Sequence, residues 1–418
     1  MPIGTLVVST FDNSIGRPAP DVQVTVRNAV SGEVISEGVT DSDGKLSPVL
    51  LSTPPEVLST TPPETVSDPE SEISPDTEGT SQTIALPFGA YDITAQNTDG
   101  DTTRIDNVQV YEDTTSLQNI IFPGQSNDIN IPNPAIMGGM PEKIPESETK
   151  KLPDAGGTVV LARPVVPSII VVHAGVPSDS SAPNYTVSFT DYIKNVASSE
   201  IFATWPREAI KANVIAIVSF TLNRVYTEWY RGKGYDFTVT NSTAYDQAFT
   251  YGRNFFTEIS DVVDEVFTMY ITRESISQPL LAQYSDGINV VRDGWLSQWG
   301  SKELADQGYS AQRILQTYYG RNIVIRQAER VEGIPLSFPG VLSAGSSGSN
   351  VRVLQNQLNA ISDNYPLIPK LAVDGIYGQN TEEAVRLFQQ IFNLPVTGTV
   401  NFPTWYRISD IYVAVRNL

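Results

Sequence analysis

Residues 3–50 alternate apolar and polar positions in the manner of β-strands: Val22, Val24 and Val26 face one way, Gln23 and Thr25 the other. Turn signals follow at Ser31-Gly32 and at Asp41-Ser42-Asp43-Gly44. The same period returns over 83–122, with a strand through Gly89-Ala90-Tyr91-Asp92-Ile93-Thr94-Ala95 and a turn at Thr98-Asp99-Gly100-Asp101. Short strands with regular turns predict a small antiparallel β-sandwich. Residues 52–82 interrupt it. They are rich in Pro, Ser, Thr and Glu (Thr53-Pro54-Pro55-Glu56, Thr61-Pro62-Pro63-Glu64) and lack the apolar residues of a core, which predicts a disordered acidic loop. The stretch from Pro123 to Asp154 carries Pro132, Pro134, Gly138-Gly139, Pro141, Pro145 and Pro153, and predicts a linker open to proteolysis.

The pattern then changes. A strand-like run, Ser168 to His173, is followed by helical periods. Pro206 suits the first position of a helix, and Glu208 to Val218 is apolar on most sides, predicting a buried helix. Ile259, Val262, Val263, Val266, Phe267 and Tyr270 predict a second helix. A third opens at Ser310 and stops at Gly320. Beyond 340, Val351, Leu354, Leu358 and Ile361 form one stripe. After the loop Asp374-Gly375-Ile376-Tyr377-Gly378 comes a helix capped by Thr381 with Ala384, Val385, Phe388 and Gln389, and a last helix carries Trp405 and Ile408. The expectation is a multidomain α+β chain: a sandwich over 1–125, a linker over 126–155, a central α+β unit over 156–335 and a three-helix unit over 340–418.

Composition narrows the chemistry. The 418 residues include 27 Lys+Arg against 47 Asp+Glu, a net charge of −20, so a polyanionic nucleic acid is not an expected partner. The charge is uneven: residues 1–155 hold 24 acidic and 7 basic residues, and the remainder is nearly balanced. With no cysteine, thiol nucleophiles, disulfides and thiolate metal sites are excluded. The single histidine, His173, excludes multi-histidine metal sites, and any Ser-His-Asp triad would run through it. No metal or other cofactor is expected, although carboxylate-only sites for Mg²⁺ or Ca²⁺ remain conceivable. No apolar run reaches the roughly 18 residues of a membrane span. The N-terminus lacks a basic n-region and a long apolar h-region, so the chain is expected either to stay in the cytosol or to leave its compartment without a cleavable signal.

Three resemblances follow from the motifs. Pro18 to Val26, Asp41-Ser42-Asp43-Gly44-Lys45-Leu46 and Gly89 to Ile93 resemble the carboxypeptidase-regulatory-like sandwiches, which have no fixed function. Val351-x-x-Leu354-Gln355-x-x-Leu358, Asp374-Gly375-x-Tyr377-Gly378, Thr381-x-x-Ala384-Val385-x-x-Phe388-Gln389, Gly398 and Thr404-Trp405 resemble the peptidoglycan-binding modules appended to cell-wall hydrolases. Ser199-Glu200-Ile201, Trp205-Pro206-x-Glu208-Ala209-Ile210-Lys211-Ala212, Ser285-Asp286-Gly287, Ser297-Gln298-Trp299-Gly300 and Tyr318-Tyr319-Gly320 resemble the stage II sporulation protein D family of lytic transglycosylases. Where that family has Gly-His before Ser-Gln, this chain has Arg292-Asp293-Gly294, and it lacks the Cys and His that zinc-using members carry. The order of the three units resembles the clostridial spore cortex-lytic enzymes. That resemblance implies a spore location in the cortex or coat region and a substrate of cortex peptidoglycan. It also implies an inactive precursor whose sandwich is a pro-region, and an activating subtilisin-like germination protease that cuts within the linker.

The resemblance places the catalytic acid at Glu200. Apolar neighbours such as Ile201, Phe202 and Trp205 are expected to raise its pKa. Asp286, Ser297 and Gln298 either bind sugar hydroxyls or shape turns, and Tyr245, Asp246 and Gln247 either bind substrate or cap and pack a helix. Glu208, favoured by a helix dipole, and His173 read as structural. The five tryptophans, all after residue 200, either stack on sugars or fill cores.

Overall fold

The computed structural model describes residues 2–12, 17–63, 85–122, 128–138, 143, 164–167, 169–227, 229–230, 233–330 and 341–416. The N-terminal third is built from β1 (Ile3–Asp12), β2 (Gln23–Asn28), β3 (Val34–Val39), β4 (Val49–Ser52), the short helix α1 (Val57–Thr60), β5 (Gly89–Gln96), β6 (Thr102–Val110), β7 (Thr115–Phe122) and β8 (Asp128–Asn130). One sheet has the order β3-β2-β5-β6-β8 and the other contains β7-β1-β4. Their facing side chains, among them Leu6, Val8, Val24, Val26, Ile93, Ile105 and Val108, form a separate buried cluster. The alternation read from the sequence is therefore the alternation of core and surface.

The sheets are mixed rather than purely antiparallel. β1 runs parallel to β7, with Thr5 opposite Thr115 and Asp12 opposite Phe122, and β6 runs parallel to β8. Antiparallel order is enforced only across hairpins; β7 reaches β1 after the chain has passed through the second sheet, so its direction is free. Of the predicted acidic loop 52–82, residues 64–82 lie outside the described residues. Residues 128–130 of the predicted linker form β8, and α2 (Ala135–Gly138) follows.

The central unit begins with β9 (Val165–Val166), β10 (Ile169–His173) and β11 (Asn184–Ser188), then α3 (Phe189–Glu200) and α4 (Arg207–Tyr226). It continues through β12 (Val239–Thr240), β13 (Phe255–Phe256), α5 (Thr257–Val266), β14 (Met269–Arg273), β15 (Tyr284–Ser285), β16 (Leu296–Ser297), α6 (Gln298–Asp306), α7 (Ala311–Tyr319), β17 (Ile323–Gln327) and β18 (Glu329–Arg330). α4 is the core helix, buried from Ala212 through Arg224, as its apolar run predicts. Tyr270, expected on the second helix, lies instead in β14. α5 closes at Val266, and the period at Tyr270 is that of a strand whose alternate residue is also buried. α7 is capped as expected, Ser310 Oγ accepting from the Arg313 N–H, with Gly320 closing it.

α8 (Ser349–Ile361), α9 (Gln379–Ile391) and α10 (Phe402–Arg416) form the C-terminal unit around Val351, Leu354, Leu358, Val385, Phe388, Trp405 and Ile408. Thr381, expected to cap, is the third residue of α9; its buried hydroxyl accepts from Gln355 Nε2 at 3.3 Å.

The N-terminal and central units share structure. β13 pairs antiparallel with β7, Phe255 opposite Leu117 and Phe256 opposite Ser116, so a strand of the central unit completes the sandwich sheet. Tyr111 packs edge-on against Phe88, Phe202 and Phe256.

Candidate active site

Glu200 is the last residue of α3 and is fully buried. α3 forms here because Ser188 accepts from the Asp191 N–H at 3.0 Å and because Tyr192, Ile193, Val196 and Ala197 face the core. The helix ends where Ile201 turns extended, sending Phe202 and Trp205 into an aromatic cluster with Trp299. Glu200 Oε1 accepts from the Ala248 N–H at 2.8 Å, while Oε2 has no protein partner within hydrogen-bond distance among the described residues. Burial pushes the carboxyl up to about 7, and the Ala248 N–H, the Tyr284 hydroxyl and the Lys143 ammonium pull in the opposite direction. An acid that ionises near 7 is poised both to give and to retake a proton at neutral pH.

Gln247 organises the surroundings. Its Oε1 accepts from the Tyr192 hydroxyl at 3.0 Å and from Thr221 Oγ1 at 2.8 Å. Its Nε2 donates to the Ile217 carbonyl at 3.3 Å and to the Tyr284 hydroxyl at 3.0 Å. One buried amide thus ties α3, α4 and β15 together beside Glu200. Lys143, from the predicted linker, reaches the same place. Its Nζ donates to the Asp246 carbonyl at 2.5 Å and lies 4.5 Å from the Phe220 ring centre and 5.9 Å from that of Tyr284.

The other sequence candidates divide. Asp246, offered as a substrate ligand, is engaged by protein donors on both oxygens. Oδ1 takes Arg224 Nε at 2.8 Å, and Oδ2 takes the Tyr230 hydroxyl, the Thr240 N–H and Thr240 Oγ1 at 2.8–2.9 Å. It balances the buried guanidinium of Arg224, and both of its oxygens are engaged by protein donors. Asp286 serves a turn: Oδ1 accepts from the N–H groups of Ile288, Asn289 and Val290, and Oδ2 from Asn289 Nδ2. Ser297 caps α6 by accepting from the Gly300 N–H at 2.9 Å. Gly287, at φ +79°, permits the close approach of this turn, since a Cβ there would lie 1.7 Å from Ser297 Oγ. Tyr245 is half-buried beside the Arg224–Asp246 pair, its carbonyl 3.4 Å from Arg224 Nη2. Gln298 is different: it is fully buried, yet neither amide atom has a hydrogen-bond partner among the described residues. A buried amide left so is suited to a ligand or water that supplies both a donor and an acceptor.

Glu208 Oε2 accepts from the Ala311 N–H at 2.6 Å and so anchors α7 on α4. His173 lies buried between Asn184 Oδ1 and the Val176 carbonyl, stacked on Phe237. Trp205, Trp299 and Trp405 are core residues, whereas Trp229 and Trp295 are half-buried under Lys233 and Arg292. Sequence reasoning passed over Tyr284 and Lys143. Tyr284 immediately precedes the Ser285-Asp286-Gly287 motif, and Lys143 is the only basic residue between Arg104 and Lys150. Among the described residues no cluster of three or more His, Asp or Glu could hold a metal ion, and no helix is long and apolar enough to cross a membrane.

Residues 180–272 match the family described as "Stage II sporulation protein", and residues 347–408 match the "Putative peptidoglycan binding domain". The first match spans α3, Glu200, α4, the Asp246–Gln247 loop and α5, and stops before Tyr284. No curated protein matches the chain. Among solved structures, the N-terminal domain of SleB is 31% identical over 18% of this chain and 99% of that one, with a TM-score of 0.16. The 5-hydroxyisourate hydrolase of Klebsiella pneumoniae is 20% identical over 29% and 92% respectively, with a TM-score of 0.17. The two family matches support a sporulation- or germination-associated protein that acts on the cell wall, with peptidoglycan as the partner of its C-terminal unit.

Proposed function

We propose that this chain is a lytic transglycosylase that cleaves the glycan strands of spore cortex peptidoglycan during germination, made as an inactive precursor in the manner of the clostridial cortex-lytic enzyme SleC. The observation that carries the reading is Glu200: a fully buried carboxyl, ionising near 7, with one oxygen held by a backbone N–H and the other without a hydrogen-bond partner among the described residues. In this reaction one carboxyl acts twice. The protonated Glu200 gives its proton to the leaving glycosidic oxygen. The carboxylate then takes the proton of the sugar's own 6-hydroxyl as that oxygen bonds the anomeric carbon and closes an anhydro ring. No second carboxylate is required. A hydrolase of the same bond would need one to activate water; Asp246 would be the base in that second reading, and it is instead paired with the buried Arg224, with protein donors on both oxygens.

The C-terminal unit would hold the enzyme on insoluble wall while the central unit cuts. Two features favour a precursor: the carboxyl is sealed from solvent, and Lys143 of the linker lies against the rings and the carbonyl beside it. A subtilisin-like germination protease cutting between Ile120 and Thr158 would free Lys143. Nicked protein should then cleave purified cortex roughly tenfold or more faster than intact protein. Mass spectrometry of the digest tests the reading: anhydromuramic ends support it. Reducing ends would assign a hydrolase, and absence of cleavage by nicked protein would leave a wall-binding scaffold.

A further inference from the structure

Gln247 fixes the direction of a proton that the proposed reaction can use. The Ile217 carbonyl only accepts, so the atom of Gln247 facing it is Nε2 and the amide cannot be reversed; Oε1 accordingly faces the hydroxyls of Tyr192 and Thr221. The second Nε2 proton therefore goes to the Tyr284 oxygen, 3.0 Å away. Tyr284 is an acceptor toward Gln247 and keeps its own proton for another partner, and the group that faces it in this sealed interior is the carboxyl of Glu200. No closed hydrogen bond joins the two, since Glu200 Oε2 has no partner among the described residues, and catalytic contacts commonly tighten only when substrate arrives.

We propose that Tyr284, oriented by Gln247, is a positioning residue for Glu200: its O–H points at the carboxyl and holds the carboxylate that remains once the proton has passed to the glycosidic oxygen. Tyr284 keeps its proton throughout. Its hydrogen bond strengthens as negative charge forms on Glu200 and weakens when the carboxylate takes back the 6-hydroxyl proton, so it lowers the barrier to donation without consuming the acid. β15 is suited to the task because its pairing with β16, Tyr284 opposite Leu296 and Ser285 opposite Ser297, sets the ring from a paired backbone rather than a free loop. The inference rests on Glu200 as general acid.

The test is Tyr284→Phe in the full chain after nicking. The Glu200 carboxyl is titrated by carbon NMR on glutamate-labelled protein, with Glu200→Gln identifying its signal, and kcat and KM are measured against pH on soluble glycan fragments. The hydroxyl favours the charged carboxylate, so its loss should move the midpoint up by about one pH unit and carry the alkaline limb of the rate with it. Below that limb kcat should fall about tenfold with KM nearly unchanged, as for an interaction made only in the transition state. A midpoint that does not move overturns the proposal. If the phenylalanine variant does not fold, 3-fluorotyrosine at 284 replaces it. A stronger donor should then move the midpoint down, a direction no packing defect would produce, and an unmoved midpoint again overturns the idea. Should the midpoint move as expected while even nicked wild-type protein releases no glycan, the transglycosylase reading fails and the contact between Tyr284 and Glu200 stands.

Discussion

A carboxyl held protonated inside a protein leaves a thermodynamic trace that does not depend on knowing its substrate. Glu200 ionises near its ordinary 4.5 in the unfolded chain and near 7 in the folded one, because burial disfavours the anion. Below pH 4.5 both states are protonated and nothing is lost. Between 4.5 and 7 the unfolded chain releases a proton that the folded chain keeps, so stability falls with rising pH by about 1.4 kcal/mol per unit. Above 7 the full penalty, about 3 kcal/mol, is in place. Glu200→Gln preserves the shape and the oxygen that accepts from Ala248, and removes the titration. The variant should therefore match wild type near pH 4.5 and exceed it by up to about 3 kcal/mol at pH 8, while losing glycan cleavage by about 10²–10⁴-fold. Urea unfolding at four pH values, followed by the fluorescence of the buried Trp205 and Trp299, measures the difference. Glu258, pushed up to about 7 by burial on α5, is common to both proteins and cancels. A stability difference that stays flat from pH 4.5 to 8 would refute the account of Glu200 as a perturbed acid, whatever happened to activity.

Asp246→Ala should cost about 3–5 kcal/mol in thermal or urea unfolding, since it strands the buried Arg224 guanidinium; near-normal stability would mean Asp246 is free for another role. Gln298→Met should change stability by less than about 1 kcal/mol, since neither amide atom has a hydrogen bond to lose among the described residues, yet reduce cleavage; a large stability loss with unchanged activity would show the amide to be structural. Lys143→Ala in the intact, un-nicked chain should raise basal cleavage and move the Glu200 midpoint upward, because a nearby cation favours the carboxylate. An intact variant as silent as wild type, with an unmoved midpoint, would remove Lys143 from any part in restraint.

Local periods in the sequence report burial and say little about partners, and the structure divides along that line. The Val22–Val26 alternation, the apolar wrap of α4 and the Ser310-to-Gly320 bounds of α7 are local, and each matches the observed element. The parallel pairing of β1 with β7, the two-residue β13 that joins the sandwich sheet and the break between α5 and β14 at Phe267 depend on contacts far along the chain. The site follows the same rule. Glu200 was legible because Ser199-Glu200-Ile201 and the Trp205-to-Ala212 run resemble a known motif. Gln247 was placed near the chemistry, but its task, fixing an orientation through four hydrogen bonds from three elements, exists only in three dimensions. Asp286 reads as a ligand through its motif match, and Asp246 reads either as a ligand or as a helix cap. Whether such a group faces a substrate or is used up by the protein depends on donors such as Arg224, Tyr230 and Asn289, which no spacing rule supplies.

The acidic charge of the N-terminal third and the Pro-rich linker suggest a detachable cover, but the contacts at its border describe a shared wall. Besides the pairing of β13 with β7, Gln118 Nε2 donates to the Gly252 carbonyl, Asn254 Nδ2 to the Gln109 carbonyl, and Trp205 Nε1 to the Ser59 carbonyl. Tyr111 fills the space between Phe202 and Phe256, and Arg253 is buried against Gln109. Stripping the sandwich away would uncover those rings and leave several buried polar groups without partners, each at about 1–3 kcal/mol. Trp205 is also part of the aromatic cluster that follows Glu200, so the damage would reach the site. If a cut in the linker activates the enzyme, the economical route is release of Lys143 with the sandwich still in place. The two halves would then remain bound through β7 and β13 after cleavage, and the sandwich would serve the mature enzyme as scaffold while the linker alone acts as the restraint.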